Sequence, residues 1–176
     1  MATKPETKTP APVETAAPIP TSNIPFDDLL ADPVPQLRVK LLSESALLPV
    51  YATEGAACFD LHATDTLGVP AGRARAVPTG LAFEVPADHV MLVFSRSGHG
   101  FKNGVRLSNS VGVIDSDYRG EVQVKLHNDS ATDFIVAHGD RIAQAMILPV
   151  ARFELVQADE LSDTARGAGG LGSTGK

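Results

Sequence analysis

The chain has 176 residues, 43% of them hydrophobic and 20% charged, enough for one domain of ordinary size with its own core. A net charge of −6 argues against a nucleic-acid groove, which needs clustered Lys and Arg, although a few local cations suffice for one small polyanion. The single cysteine, Cys58, excludes an intramolecular disulfide and a Cys-rich zinc site, and no apolar run approaches the ~20 residues that span a bilayer.

Residues 1–35 carry Pro5, Pro10, Pro12, Pro18, Pro20, Pro25, Pro33 and Pro35 among Ala, Thr and Glu. Such a stretch buries too little apolar surface to offset its ordering entropy, so a disordered arm is expected. Within it, Ser22 to Leu30 reads as one helical turn with Phe26, Leu29 and Leu30 on one face, a surface for its own domain or for a protein partner. No apolar signal segment precedes Arg38, the first arginine, so a cytoplasmic location is expected.

From residue 36 to about 158 the pattern is β. Leu37, Val39 and Leu41 alternate with Arg38 and Lys40, a period of two. Val90 to Phe94 is continuously apolar, which predicts a strand buried on both faces. Val122, Val124 and Leu126 alternate with Gln123, Lys125 and His127, and 142–150 and 153–156 predict two more strands. Turn signals separate them: Pro70-Ala71-Gly72, Pro78-Thr79-Gly80, Pro86-Ala87-Asp88, Asp117 to Gly120, Asn128-Asp129 and His138-Gly139-Asp140. The one predicted turn of helix lies around Gly98 to Asn103. Many short strands at regular spacing indicate an all-β sandwich or barrel. Residues 159–176 read as a flexible Gly-rich tail.

Three segments suit an anion or its chemistry. Ser95-Arg96-Ser97-Gly98-His99-Gly100 sets an arginine, hydroxyls and glycines at a strand end, where an ordinary surface turn is the plain alternative. Gly170 to Lys176 satisfies the spacing GxxxxGK, but a P-loop also needs a following helix and a Ser/Thr after the lysine, so that reading fails. Gly-rich backbone still wraps phosphate once a ligand orders it. Asn109 to Gly120 reads as a hairpin, with Asp115 directly after the apolar pair Val113-Ile114, a placement that suits a general base. Asp117, in the turn itself, suits a structural role, and the five histidines show no metal-binding spacing.

Taken in order, five segments resemble the motifs of the trimeric dUTPase family. They are Ala56-Ala57-Cys58-Phe59-Asp60-Leu61-His62-Ala63, Arg96-Ser97-Gly98, Asn109 to Gly120, Gly139-Asp140-Arg141-Ile142-Ala143-Gln144, and Arg166 to Gly175. The resemblance runs from about Gln36 to the C-terminus. It implies a β jelly roll, a homotrimer with shared active sites, and Mg²⁺-dependent conversion of dUTP to dUMP and pyrophosphate, which limits uracil in DNA and supplies dUMP. By the same resemblance Asp115 orients and deprotonates the attacking water, and Asp60 holds a water on the metal. Arg96, Ser97, Gly98 and Gln144 then meet the α- and β-phosphates, while Arg166, Ser173 and Thr174 clamp the γ-phosphate. Asn109 and the backbone of Gly112, Val113 and Ile114 meet uracil, Gln123 adds a backbone contact, and Tyr118 lies under the deoxyribose. Leu171 stands where the family usually has a Phe that stacks on uracil, and Cys58 stands where a small residue is usual. Two rivals are a dCTP deaminase of the same fold and a regulatory protein in which nucleotide binding switches a partner interaction.

Overall fold

The computed structural model describes residues 34–173 and 175, so the turn expected at 22–30 and the candidate contact Thr174 lie outside the described residues. Eleven strands and one short helix follow one another in the described chain. They are β1 (Arg38–Leu41), β2 (Phe59–His62), β3 (Leu67–Val69), β4 (Ala74–Val77), β5 (Leu81–Glu84) and β6 (His89–Phe94), then α1 (Ser97–Asn103). After it come β7 (Val105–Leu107), β8 (Val111–Ile114), β9 (Val124–Asn128), β10 (Phe134–Val136) and β11 (Arg141–Pro149). The architecture is an all-β jelly roll, and every ladder in it is antiparallel. No helix of the described residues is long and apolar enough to cross a membrane.

The largest sheet has the order β2-β11-β6-β8, and β4-β9-β7 forms a second. β1 pairs with β5, and β3 with β10. Alternation along each strand decides what reaches the core. Met91 and Val93 of β6 point inward beside Ala145 of β11 and Phe59 of β2, all buried. Leu61, Leu81, Leu126 and Ile142 complete the centre, where Phe59 stacks on Phe83 with centroids 6.1 Å apart. Each such side chain contributes about 1.5–3 kcal/mol through burial.

Three expectations are corrected. β6 is not buried on both faces: its outward residues Val90, Leu92 and Phe94 are only half-buried, because no second layer of the described residues covers them. Their cross-strand neighbours Val113 and Leu148 are 63% and 39% exposed. Asn109 to Gly120 does not continue into a hairpin, since β8 pairs with β6 while β9 joins β4 and β7 in another sheet. Phe153–Val156 is not a strand; Phe153 and Leu155 are 81% and 95% exposed, and among the described residues no edge pairs with them.

The switch of sheets between β8 and β9 is held by specific bonds. The Thr79 hydroxyl, fully buried, donates to the Val122 carbonyl at 2.6 Å and accepts from the Leu81 amide at 3.3 Å. The Val122 amide donates to the Leu81 carbonyl at 2.9 Å. Gly80 turns this corner at φ +64°, and a Cβ there would stand 2.7 Å from Ser43 Oγ and 2.8 Å from Ala46 Cβ. Only glycine fits.

Candidate active site

One group of site residues gathers where β6 ends. Arg96 leaves β6 and places its Nε 3.0 Å from Asp60 Oδ1 on β2. Arg141, at the start of β11, places Nη1 3.3 Å from Asp60 Oδ2. Asp60 is 7% exposed, so its charge is tolerated only because two guanidiniums meet it. The pair of arginines outweighs the one carboxylate, leaving a local positive balance on a negatively charged chain.

Further bonds fix the loop that follows. The Arg141 carbonyl accepts from Arg96 Nη1 at 3.2 Å and lies 2.8 Å from His99 Nε2, which ties α1 to β11. Gln144 Nε2 donates to the Ser95 carbonyl at 3.1 Å, and Ser95 Oγ accepts from the Leu107 amide at 2.8 Å. Ser97 and Gly98 stay exposed, with open space over Gly98. Burial holds the His62 imidazole below its ordinary range; Asp60 pulls the other way, and Arg141 and Arg96 push it down again. Burial, then the charge of Asp60, pushes the Cys58 thiol up.

A second group lies along β8 and the crossing that follows it. Val113, Ile114, Asp115, Tyr118, Glu121, Val122 and Gln123 line a cleft of about 570 Å³. Asp115 is exposed at the cleft, just past Ile114, which packs on the core. The Tyr118 hydroxyl donates to the Glu121 carbonyl at 3.0 Å, and its ring lies so close to Gly120 that a Cβ there would collide with the hydroxyl oxygen. β8 is an edge strand, paired with β6 on one side only. Its other side faces residues 122–125 across a cavity of about 130 Å³ that Asn109, Gly112 and Gln123 help to line. The hairpin that does not form leaves this slot open between β8 and the crossing segment.

The two groups do not meet within one chain. Ile114 is opposite Met91 and Val111 is opposite Phe94, so Asp115 falls level with Val90 while Arg96 lies two residues beyond Phe94. Six residues of strand at ~3.3 Å each set Asp115 and Arg96 ~20 Å apart. Among the described residues the tail meets neither: Arg166 Nε donates to the Gly169 carbonyl at 2.8 Å, the Ser173 amide to the Gly170 carbonyl at 3.1 Å, and Leu171 is fully exposed.

Two residues without a role in the sequence reading belong to these groups. Arg141 shares Asp60 with Arg96, and its only signal was its place inside the segment Gly139 to Gln144. Glu121 sits two positions before Gln123, a period-two spacing that places both on one side of the crossing chain.

A family model described as dUTPase matches residues 44–175. The deoxyuridine 5'-triphosphate nucleotidohydrolase of Nautilia profundicola is 47% identical over 141 residues, covering 80% of this chain and 99% of that protein. The protein of the same name from Desulfitobacterium hafniense is 51% identical over 131 residues, covering 73% and 87%. Among solved structures, the Staphylococcus bacteriophage 80alpha dUTPase with dUPNHPP superposes with a TM-score of 0.76 at 27% identity, covering 81% of this chain and 100% of that one.

Proposed function

The chain belongs to the dUTPase family and hydrolyses dUTP, and we propose that it releases dUMP and pyrophosphate at a site assembled from several copies of itself. What carries this proposal is the ~20 Å between Asp115 and Arg96 on one chain. A base for the attacking water and a guanidinium on the α- and β-phosphates must both reach the same phosphorus. A neighbouring copy therefore supplies one of them, and a closed symmetric trimer satisfies every site at once. The outward row of β6, β8 and β11 and the unpaired Phe153 and Leu155 offer the apolar surface such an assembly needs.

In this reading uracil enters the slot beside β8, where Asn109 and the backbone of Gly112, Val113 and Ile114 meet its polar edge. Cytosine would present a donor where uracil presents an acceptor, leaving a buried group unmatched. Tyr118 lies under the deoxyribose, and Gln123 closes the slot from the crossing segment. Asp115 holds a water in line with the α-phosphorus and takes its proton as the oxygen–phosphorus bond forms and the bond to the β-phosphate oxygen breaks. Arg96, Ser97, Gly98 and Gln144 hold the α- and β-phosphates, and Arg166, Ser173 and Thr174 bring the tail onto the γ-phosphate.

No group of three His, Cys, Asp or Glu able to cage a metal occurs among the described residues. Mg²⁺ does not require one: it commonly keeps its waters and binds through one or two carboxylates plus substrate phosphates. Asp60 suits that use as the one carboxylate of this group, held in place by two guanidiniums beside the loop that would carry the phosphates. Bound there with the nucleotide, Mg²⁺ would offset the charge of the three phosphates.

The test is pyrophosphate release from dUTP, dCTP, dTTP and UTP by the wild-type chain and by Asp115→Asn. Selective turnover of dUTP is expected, with kcat lowered roughly 10²–10⁴-fold in the variant while dUTP still binds. Ammonia released from dCTP, or near-normal turnover by the variant, would overturn the assignment.

A further inference from the structure

We infer that Glu121 is a positioning residue that sets discrimination against the ribose 2'-hydroxyl, by fixing the height of the Tyr118 ring. The inference builds on the reading of Tyr118 as the surface beneath the deoxyribose. Glu121 is half-buried at the cleft, and its carboxylate joins two parts of the fold. Oε1 accepts from the Gly80 amide at 2.9 Å, and Oε2 accepts from Gln123 Nε2 at 3.0 Å. Its own carbonyl accepts the Tyr118 hydroxyl at 3.0 Å.

The anchor at the far end is rigid. Gly80 is wedged against Ser43, Ala46 and Thr64 in a left-handed turn, and the buried Thr79 hydroxyl pins the neighbouring Val122 carbonyl. A carboxylate bound to that corner holds residue 121, and with it the acceptor of the Tyr118 hydroxyl, at one distance from the core. From the other side the ring lies against Gly120, where even a methyl group would collide with it. Tyr118 is thus set by two contacts, and Glu121 governs one of them. The same carboxylate orients the Gln123 side chain, so the sugar surface and the slot beside β8 share one support. Loosening it lets the ring recede and opens room for a 2'-hydroxyl.

The readout is the ratio of kcat/KM for dUTP to kcat/KM for UTP in Glu121→Gln, Glu121→Ala and Tyr118→Ala. A partly unfolded preparation leaves this ratio unchanged, because both substrates meet the same active fraction. Glu121→Gln keeps size and an acceptor for the Gly80 amide but removes the charge that strengthens that bond, and should lower the ratio about 3-fold, with Glu121→Ala lowering it about 10-fold or more. Tyr118→Ala should lower it at least as far. A wild-type ratio in Glu121→Gln, which preserves the shape of the site, overturns the inference even if the alanine variant fails to fold. A lowered ratio in Tyr118→Ala with none in the Glu121 variants overturns the role of Glu121 alone. An unchanged ratio in Tyr118→Ala removes the reading of Tyr118 and the inference with it.

Discussion

If each active site joins Asp115 of one copy to Arg96 of another, two inactive variants should rescue each other. Asp115→Asn abolishes the base, and Arg96→Gln removes a phosphate contact while Arg141 still meets Asp60. Each homotrimer is then crippled in all its sites. In a mixed trimer, a site is intact when the copy supplying Asp115 is the Arg96→Gln chain and the copy supplying Arg96 is the Asp115→Asn chain. For equal amounts mixed at random this occurs with probability one half times one half, so about a quarter of wild-type activity should return. Were both residues contributed by one chain, no mixture could hold an intact site. The ~20 Å of backbone along the β6–β8 pair argues against that second arrangement. The assay is co-refolding of the two variants, confirmation of mixed trimers by native mass spectrometry, and pyrophosphate release. Activity no greater than the average of the two parents, in verified mixed trimers, would refute the shared site.

Removing residues 166–176 should abolish most turnover while the fold remains, since among the described residues the hydrogen bonds of this tail stay within residues 164–175. Replacing Leu171 with Phe should tighten dUTP binding about 2- to 10-fold, the worth of ~0.5–1.5 kcal/mol of ring stacking; unchanged affinity would show that the tail does not close over the base. Asn128→Ala should lower Tm by about 5–15 °C, for a loss of ~2–4 kcal/mol. That fully buried side chain donates to Val69 and Thr132 carbonyls at 2.9 and 2.8 Å and accepts from Ser130, so an unchanged Tm would contradict its role. His62 has a lowered pKa in the fold, so as pH drops through ~6.5 the unfolded chain takes up the proton first and stability falls; above that window its effect is flat. His62→Asn should shrink the difference in Tm between pH 7.5 and pH 5.5, and an identical difference would exclude the burial argument.

The residues by themselves determined the all-β class, the short helix after Arg96, and strands read at 37–41, 122–127 and 142–150 that form at 38–41, 124–128 and 141–149, because period-two alternation and turn residues act locally. The order of five short segments also carried the family, since each keeps its chemistry in a few adjacent residues. Which strands become neighbours was decided only by the tertiary structure. Alternation tells which residues share a face but not which strand lies beside them, so β8 and β9 read as one hairpin although their bonds go to different sheets. The continuous apolar run of β6 looks the same in sequence whether its outer row is covered by its own chain or left open, as Leu92 and Phe94 partly are. Phe153 and Leu155 alternate as a strand does, yet a strand exists only where an edge accepts its hydrogen bonds. Arg141 and Glu121 stayed hidden for a related reason. Each acts through a carboxylate contact with a residue about 40 or more positions away, and such contacts are set by the packing of the whole sheet rather than by any local pattern.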